Sequence, residues 1–74
     1  MNIQEFITKF AEMLEIEDVE SLTPDTEFRD LDEWSSISVM EFIVLADDEF
    51  GKHIADAGIK ACSTIQDLYN LVNA

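Results

Sequence analysis

The spacing of its apolar residues is the feature that most restricts the folds open to this chain. In three stretches these residues recur at steps of three and four, the period of a helix with one buried face. The stretches cover residues 2–16, residues from about 36 to 50, and the residues after Ser63 or Thr64, either of which suits a helix N-cap. No stretch alternates as a β-strand does. The sequence therefore predicts helices without a sheet.

The same periodicity predicts which face each helix buries. The first helix is expected to bury Ile3, Phe6, Ile7, Phe10, Met13 and Leu14. The second helix is expected to bury Ile37, Met40, Phe50 and either Ile43 or Val44. Its outward face is expected to carry Ser38, Glu41, Asp47 and Asp48. The last helix is expected to bury Ile65, Leu68, Tyr69 and Val72.

The segments between these helices complete the predicted fold. Residues 17–35 lose all periodicity and contain the only proline, which predicts a long loop. We expect this loop to be anchored in the core by Leu22, Phe28, Leu31 and Trp34. Gly51 should end the second helix, because glycine suits the left-handed conformation found there, and residues 56–61 predict a short third helix around Gly58. The prediction for residues 1–74 is a single-domain, all-α four-helix bundle.

The charge of the chain restricts its partners. The net charge is −13 at pH 7, which disfavours binding to nucleic acid or to an anionic membrane surface. Between residues 30 and 51 there is no Lys or Arg, and seven acidic residues fall in that interval: Asp30, Asp32, Glu33, Glu41, Asp47, Asp48 and Glu49. Basic protein surfaces are therefore the expected partners.

Several other classes of protein are disfavoured by what the sequence lacks. No segment approaches the 18 or so consecutive apolar residues of a membrane span, and the N-terminus does not resemble a signal peptide, so we expect a cytosolic protein. We also expect a monomer. Cys62 is the only cysteine, which excludes an intrachain disulfide. His53 is the only histidine, so neither a His metal pair nor a Ser-His-acid triad is expected. A calcium loop fails too, because Ala46 would stand where a carboxylate is required.

Three serines stand at the start of the second helix. Taken alone, Ser35, Ser36 and Ser38 are typical of helix caps, and residues 38–41 fit a capping box. A second interpretation comes from the segment between Trp34 and Gly51, which resembles the second helix of acyl carrier proteins. That helix opens on an Asp-Ser-Leu motif, has a glutamate five residues after the serine, and ends in an acidic run followed by Phe and often Gly.

Laid on this chain without a gap, the family pattern assigns specific positions. The modified serine falls on Ser36, the leucine on Ile37, the glutamate on Glu41 and the acidic run on residues 47–49. The likeness extends over essentially the whole chain, including the long loop. Ser35 departs from it, since the family has aspartate there, and so does the loop end at residues 31–34.

The resemblance implies a carrier rather than an enzyme. In this family a separate phosphopantetheinyl transferase uses Mg²⁺ and coenzyme A to attach 4′-phosphopantetheine to the serine, here Ser36. Acyl intermediates of fatty acid, polyketide or related biosynthesis then travel as thioesters on this arm. The rival interpretation from the charge alone is an acidic interaction module, such as an inhibitor or a nucleic-acid mimic, without a prosthetic group.

The resemblance also implies a docking surface for the transferase and for acyl-loading and synthase enzymes that carry basic patches. We expect its residues to be Glu41, Asp47, Asp48, Ile37, Met40 and Trp34, with Trp34 equally suited to anchoring the loop. An apolar cleft for an acyl chain would be bordered by Met40, Phe42, Leu45, Ile54 and Ile59, which are otherwise core residues. Ala57, Gly58 and Lys60 replace much of a second acidic patch, which favours a dedicated pathway over the housekeeping fatty acid cycle.

Overall fold

Four α-helices make up the regular structure of the part of the chain that the structure describes. The computed structural model describes residues 2–73, in which α1 spans Ile3–Met13, α2 Ser36–Phe50, α3 Asp56–Lys60 and α4 Ile65–Asn73. The long loop contains two 3₁₀ turns, Val19–Ser21 and Phe28–Asp30. Within the described residues there is no strand, only an isolated bridge between Glu27 and Thr64. The predicted all-α fold, with its long first loop and short third helix, is confirmed.

The ends of α1 follow from local capping. The Asn2 side chain accepts a hydrogen bond from the N–H of Glu5 at 2.9 Å, which begins the helix. The helix ends at Met13, before the predicted residue 16, because Glu15 adopts a left-handed conformation with φ of 60°. The N–H of Ile16 then donates to the carbonyl of Ala11 at 2.8 Å, which closes the helix in a Schellman motif.

Aromatic rings form the centre of the core. Phe6, Phe10, Phe28 and Phe42 are fully buried, and their rings meet mostly edge to face, as between Phe6 and Phe42 at 6.0 Å. Such contacts add a favourable quadrupole interaction to the hydrophobic burial. The ring of Trp34 lies 4.7 Å from that of Phe28 and stacks on Phe10 at 6.0 Å. The long loop is thus anchored by rings from two of its turns.

The buried face of α2 differs from the prediction. Ile37 and Met40, expected in the core, are 66% and 69% exposed. Of the two alternatives, Ile43 packs against the core, as Phe50 does, and Val44 is 58% exposed. The buried residues of α2 are instead Ser38, Phe42 and Ala46, so the prediction that Ser38 faces outward is also wrong.

The reason for this error lies in the composition of α2. Apolar residues occupy nearly its whole circumference, so their period alone does not point to one face. Its ends follow local signals and are as predicted: α2 begins at Ser36, and Gly51 ends it with φ of 63°.

Polar contacts tie the long loop to the end of the bundle where α3 meets α4. Arg29 donates from Nη2 to the carbonyls of Ile59 at 3.0 Å and Lys60 at 2.8 Å, at the C-terminal end of α3. Its guanidinium also lies 5.1 Å from the ring centre of Phe28. Because these contacts satisfy helix-end carbonyls, they hold both the loop and the short α3 in place.

Candidate functional site

The start of α2 is fixed by two of its three serines. Ser35 is the N-cap, with extended backbone. Its N–H donates to Ser38 Oγ at 3.0 Å, and the N–H of Ser38 donates to the carbonyl of Ser35, also at 3.0 Å. The prediction that Ser35 and Ser38 serve the cap is confirmed, with Ser35 as the N-cap and Ser38 as the residue that completes its capping box. The predicted capping box at residues 38–41 is wrong, because Ser38 is the third residue of the helix rather than its cap.

Ser36 is the serine that the capping leaves free. It is the first residue of α2 and is exposed to solvent. Within residues 2–73 its hydroxyl has no hydrogen-bond partner. The first turn of α2 carries no acidic residue, so the positive end of the helix dipole is not neutralised there. This position suits a hydroxyl that becomes esterified with a phosphate group, because the product is an anionic phosphodiester.

One side of α2 presents apolar and acidic residues together to solvent. Ile37, Met40 and Val44 lie three and four residues apart, so their side chains share a face. Glu41 and Asp48 are exposed at neighbouring positions on that face, and Asp47 is exposed beside it. Val44 was not among the predicted docking residues, because the sequence offered it as a core candidate.

A groove of about 590 Å³ runs between this face and α1. Its apolar lining consists of Met13, Ile37, Met40, Val44 and Leu45. Its charged lining consists of Lys9, Glu12, Glu41, Asp48 and Glu49. Four predicted docking residues therefore meet in one place: Ile37, Met40, Glu41 and Asp48. Asp47 and Trp34 are not part of this lining.

The five residues expected to border an acyl cleft lie in two different places in the structure. Met40 and Leu45 line the groove between α1 and α2. Phe42 and Ile59 are fully buried core residues, and Ile54 is half-buried against the core. A surface that includes α1 was missed in the sequence, since Glu12 and Met13 lie more than twenty positions before the α2 residues that they face.

The only cysteine of the sequence, Cys62, has a structural position in the core. Cys62 is buried, and its thiol donates to the carbonyl of Gly58 at 3.3 Å. Burial raises the pKa of this thiol, the Asp67 charge raises it further, and Arg29 opposes both. A raised pKa keeps the thiol protonated and unreactive. No group of three or more metal-ligating side chains gathers in the described part of the chain, residues 2–73.

None of the described helices, which lie within residues 2–73, combines the length and the apolar character needed to cross a membrane.

Comparisons with known proteins identify the family of this chain. The family model described as "Phosphopantetheine attachment site" matches residues 4–72. The acyl carrier protein of Micrococcus luteus is 32% identical over 73 residues, which cover 95% of this chain and 90% of the relative. That of Myxococcus xanthus is 32% identical over 72 residues, 93% of this chain and 91% of the relative. No solved structure gives a significant match. The chain therefore belongs to the acyl carrier proteins of the phosphopantetheine attachment family, whose prosthetic group is covalently attached 4′-phosphopantetheine.

Proposed function

We propose that this protein carries acyl groups as thioesters on a 4′-phosphopantetheine arm attached to Ser36, and that it catalyses no reaction itself. The observation that carries the proposal is the state of the Ser36 side chain. It is exposed at the start of a 15-residue helix, and its hydroxyl is engaged by no other group within residues 2–73. Ser35 and Ser38 satisfy the cap, so esterification of Ser36 breaks none of its hydrogen bonds.

The attachment step asks little of the chain beyond this geometry. A transferase joins Ser36 Oγ to the phosphorus of the phosphopantetheine moiety and breaks the pyrophosphate bond of coenzyme A, so that adenosine 3′,5′-bisphosphate leaves. The transferase takes up the hydroxyl proton. The product is an anionic phosphodiester at the N-terminus of α2, where unpaired N–H groups and the helix dipole favour negative charge. The arm supplies a terminal thiol, which is the site of acyl attachment.

Docking of partner enzymes is assigned to the acidic and apolar residues of α2. Glu41, Asp47 and Asp48 are exposed and suit Lys and Arg on a partner, while Ile37 and Met40 offer exposed apolar contacts beside them. Exposed ion pairs are each worth little, so the complexes should be weak, salt-sensitive and fast to form. Such binding suits a carrier that visits several enzymes.

Trp34 has a place in the fold that suits the anchoring role. Its ring is half-buried against Phe10 and Phe28, next to the cap of α2. These contacts support Trp34 as the residue that positions the end of the loop before Ser36. A direct contact between Trp34 and a partner stays a prediction.

A dedicated pathway is also part of the proposal. The family pattern that this chain resembles has aspartate at the position of Ser35, and it has a second acidic patch on α3 where this chain has Ala57, Gly58 and Lys60. Enzymes that read a dense acidic surface should therefore bind this carrier poorly. Loading and elongation by a standard set of fatty acid synthase enzymes at ordinary rates would contradict this part.

Intact-mass measurement tests the attachment site. The full chain, incubated with coenzyme A, Mg²⁺ and a broad-specificity transferase, should gain one phosphopantetheine, and Ser36→Ala should gain none. Ser35→Ala and Ser63→Ala are the controls, because each removes another exposed serine at a helix start, and both should still be modified.

Two outcomes would contradict the proposal. Modification that persists in Ser36→Ala would place the arm elsewhere. Protein isolated from its native cell with an unmodified mass would favour an acidic interaction module without a prosthetic group.

A further inference from the structure

The groove between α1 and α2 exposes apolar surface that the fold does not need to expose. Ile37, Met40 and Val44 are each more than half exposed, while Met13 and Leu45 are half-buried and pack against the core. Exposed apolar surface bordered by charged residues marks interaction sites on soluble proteins. The volume of about 590 Å³ suits several side chains of a partner.

The charges around the groove restrict what can bind there. Four carboxylates and one ammonium group line it, which gives 1 − 4 = −3. The single cation, Lys9, is paired with Glu49 at 3.5 Å. Among the described residues, Glu12, Glu41 and Asp48 have no ion-pair partner. An occupant must therefore bring positive charge.

This requirement argues against the two occupants that the chain itself could supply. A second copy has the same net charge of −13, so its approach is repelled. The arm on Ser36 begins with an anionic phosphodiester, and Ser36 does not line the groove. Only a basic partner adds both apolar contact and favourable charge.

We propose that the groove receives an amphipathic helix of a partner enzyme, with an apolar side chain seated against Met13 and Leu45 and with Lys or Arg on its flanks. A helix fits because α1 and α2 form two ridges, between which apolar side chains at helical spacing can be inserted. Partners then read α1, through Glu12 and Met13, as well as α2. The inference rests on the proposed carrier function and extends its docking surface to a second helix.

A peptide titration tests this surface directly. The ¹⁵N-labelled full chain, in its Ser36→Ala form without an arm, is titrated with a helical peptide whose leucines recur at steps of three and four between arginines. A peptide of the same composition with the leucines spread around the helix is the control. We expect salt-sensitive binding, with chemical-shift changes at Met13 and Leu45, and several-fold weaker binding of the control peptide.

Charge reversal on α1 provides the second measurement. Glu12→Lys should weaken peptide binding about fivefold, since it removes an attractive pair and adds a repulsive one. Glu20→Lys is the matched control, because it makes the same change at an exposed residue outside the groove, and it should alter binding by less than about twofold. Met13→Ala should weaken binding without loss of helical circular dichroism.

Several results would overturn the proposal. Equal effects of Glu12→Lys and Glu20→Lys on peptide binding would show that the peptide is held by the net charge of the protein rather than by the groove. Equal binding of the two peptides would show that no apolar side chain of the peptide binds against Met13 and Leu45. Shift changes at Met13 that arise from dimerisation, or from loading the arm of the wild-type chain, would assign the groove to another occupant. None of these depends on where the arm is attached, so the mass measurement on Ser36→Ala can fail or succeed independently.

Discussion

The N-termini of α2 and α4 are both built from hydroxyl residues, yet one is closed and the other is open. At α4, the Asp67 carboxylate accepts hydrogen bonds from the N–H groups of Ser63 at 2.9 Å and Thr64 at 3.2 Å. The N–H of Asp67 in turn donates to Thr64 Oγ1 at 3.2 Å. This reciprocal arrangement is a capping box with a carboxylate at its third helical position.

The long loop completes the closure of α4. The N–H of Ile65 donates to the carbonyl of Thr26 at 3.0 Å, and the N–H of Gln66 donates to the carbonyl of Pro24 at 2.9 Å. The first N–H groups of α4 are therefore all occupied by this chain. The end of α4 contributes to folding and has no donor left for a ligand.

The end of α2 is capped only by Ser35 and Ser38. Within residues 2–73, no acceptor is positioned for the N–H groups of Ser36 and Ile37, and the first turn holds no carboxylate. The difference separates a helix end that the fold itself fills from one that it leaves open. A chain that can close a helix with an acid and two loop carbonyls leaves the other open where the phosphodiester is proposed to sit.

The largest effect on stability among these cap residues is expected for Ser38→Ala. Ser38 is 2% exposed, and its hydroxyl accepts a hydrogen bond from the N–H of Ser35, so removal of the hydroxyl leaves a donor unpaired beside the core. A loss of about 1–2 kcal/mol in the free energy of unfolding is expected. Urea denaturation measures it, and transferase loading should slow as well, because Ser35 no longer fixes the turn that holds Ser36. Unchanged stability would show that water replaces the hydroxyl at no cost.

Thr64→Ala tests the closed end of α4. It removes the N-cap hydroxyl that accepts the N–H of Asp67, and we expect a loss of about 1 kcal/mol in the free energy of unfolding. Ser63→Ala is the control, since that side chain is exposed and lies outside the cap, and it should change stability by less than about 0.5 kcal/mol. Similar losses in both variants would mean that the cap is not specific to Thr64.

The carboxylate of Asp67 should make the closed end sensitive to pH. Hydrogen bonds from the N–H groups of Ser63 and Thr64 lower the pKa of Asp67 below its ordinary value. A lowered folded-state pKa stabilises the fold above the unfolded value of about 3.9, and this contribution is lost as the pH falls through the folded-state pKa. Asp67→Asn should therefore be less stable than wild type at pH 7, by less than Thr64→Ala, because the amide oxygen still accepts a hydrogen bond.

The difference between wild type and Asp67→Asn should shrink in thermal melts below about pH 4 and disappear at lower pH. No corresponding pH dependence is expected from the start of α2, which has no carboxylate in its first turn. A difference that stays constant from pH 7 to pH 3 would contradict the role assigned to the Asp67 charge.

These contrasts also explain how much could be predicted from the sequence. The bounds of α2 followed from local signals, the serine cluster at its start and Gly51 at its end, and both were confirmed. The ungapped match to the second helix of acyl carrier proteins singled out Ser36 among the three serines. The buried face of α2 was wrong at Ile37 and Met40, because a helix that is apolar around its circumference depends on distant packing for its orientation.

The features that could not be predicted from the sequence depend on contacts between distant segments. Arg29 reaches Ile59 and Lys60, about thirty positions away, and the carbonyls of Pro24 and Thr26 close α4 from the middle of the long loop. Backbone carbonyls carry no residue signature, so no local pattern could reveal this closure. The groove depends in the same way on α1 lying beside α2.

The smallest effect on stability is expected for Ser36→Ala, although the same change should abolish attachment. The Ser36 hydroxyl makes no hydrogen bond within residues 2–73, and alanine is a better helix former than serine, so the free energy of unfolding should change by less than about 0.5 kcal/mol. Urea denaturation of Ser36→Ala beside Ser38→Ala measures the contrast two residues apart. A loss of stability in Ser36→Ala comparable with that in Ser38→Ala would show that the hydroxyl is engaged in the fold, and the open end of α2 would then be as structural as the closed end of α4.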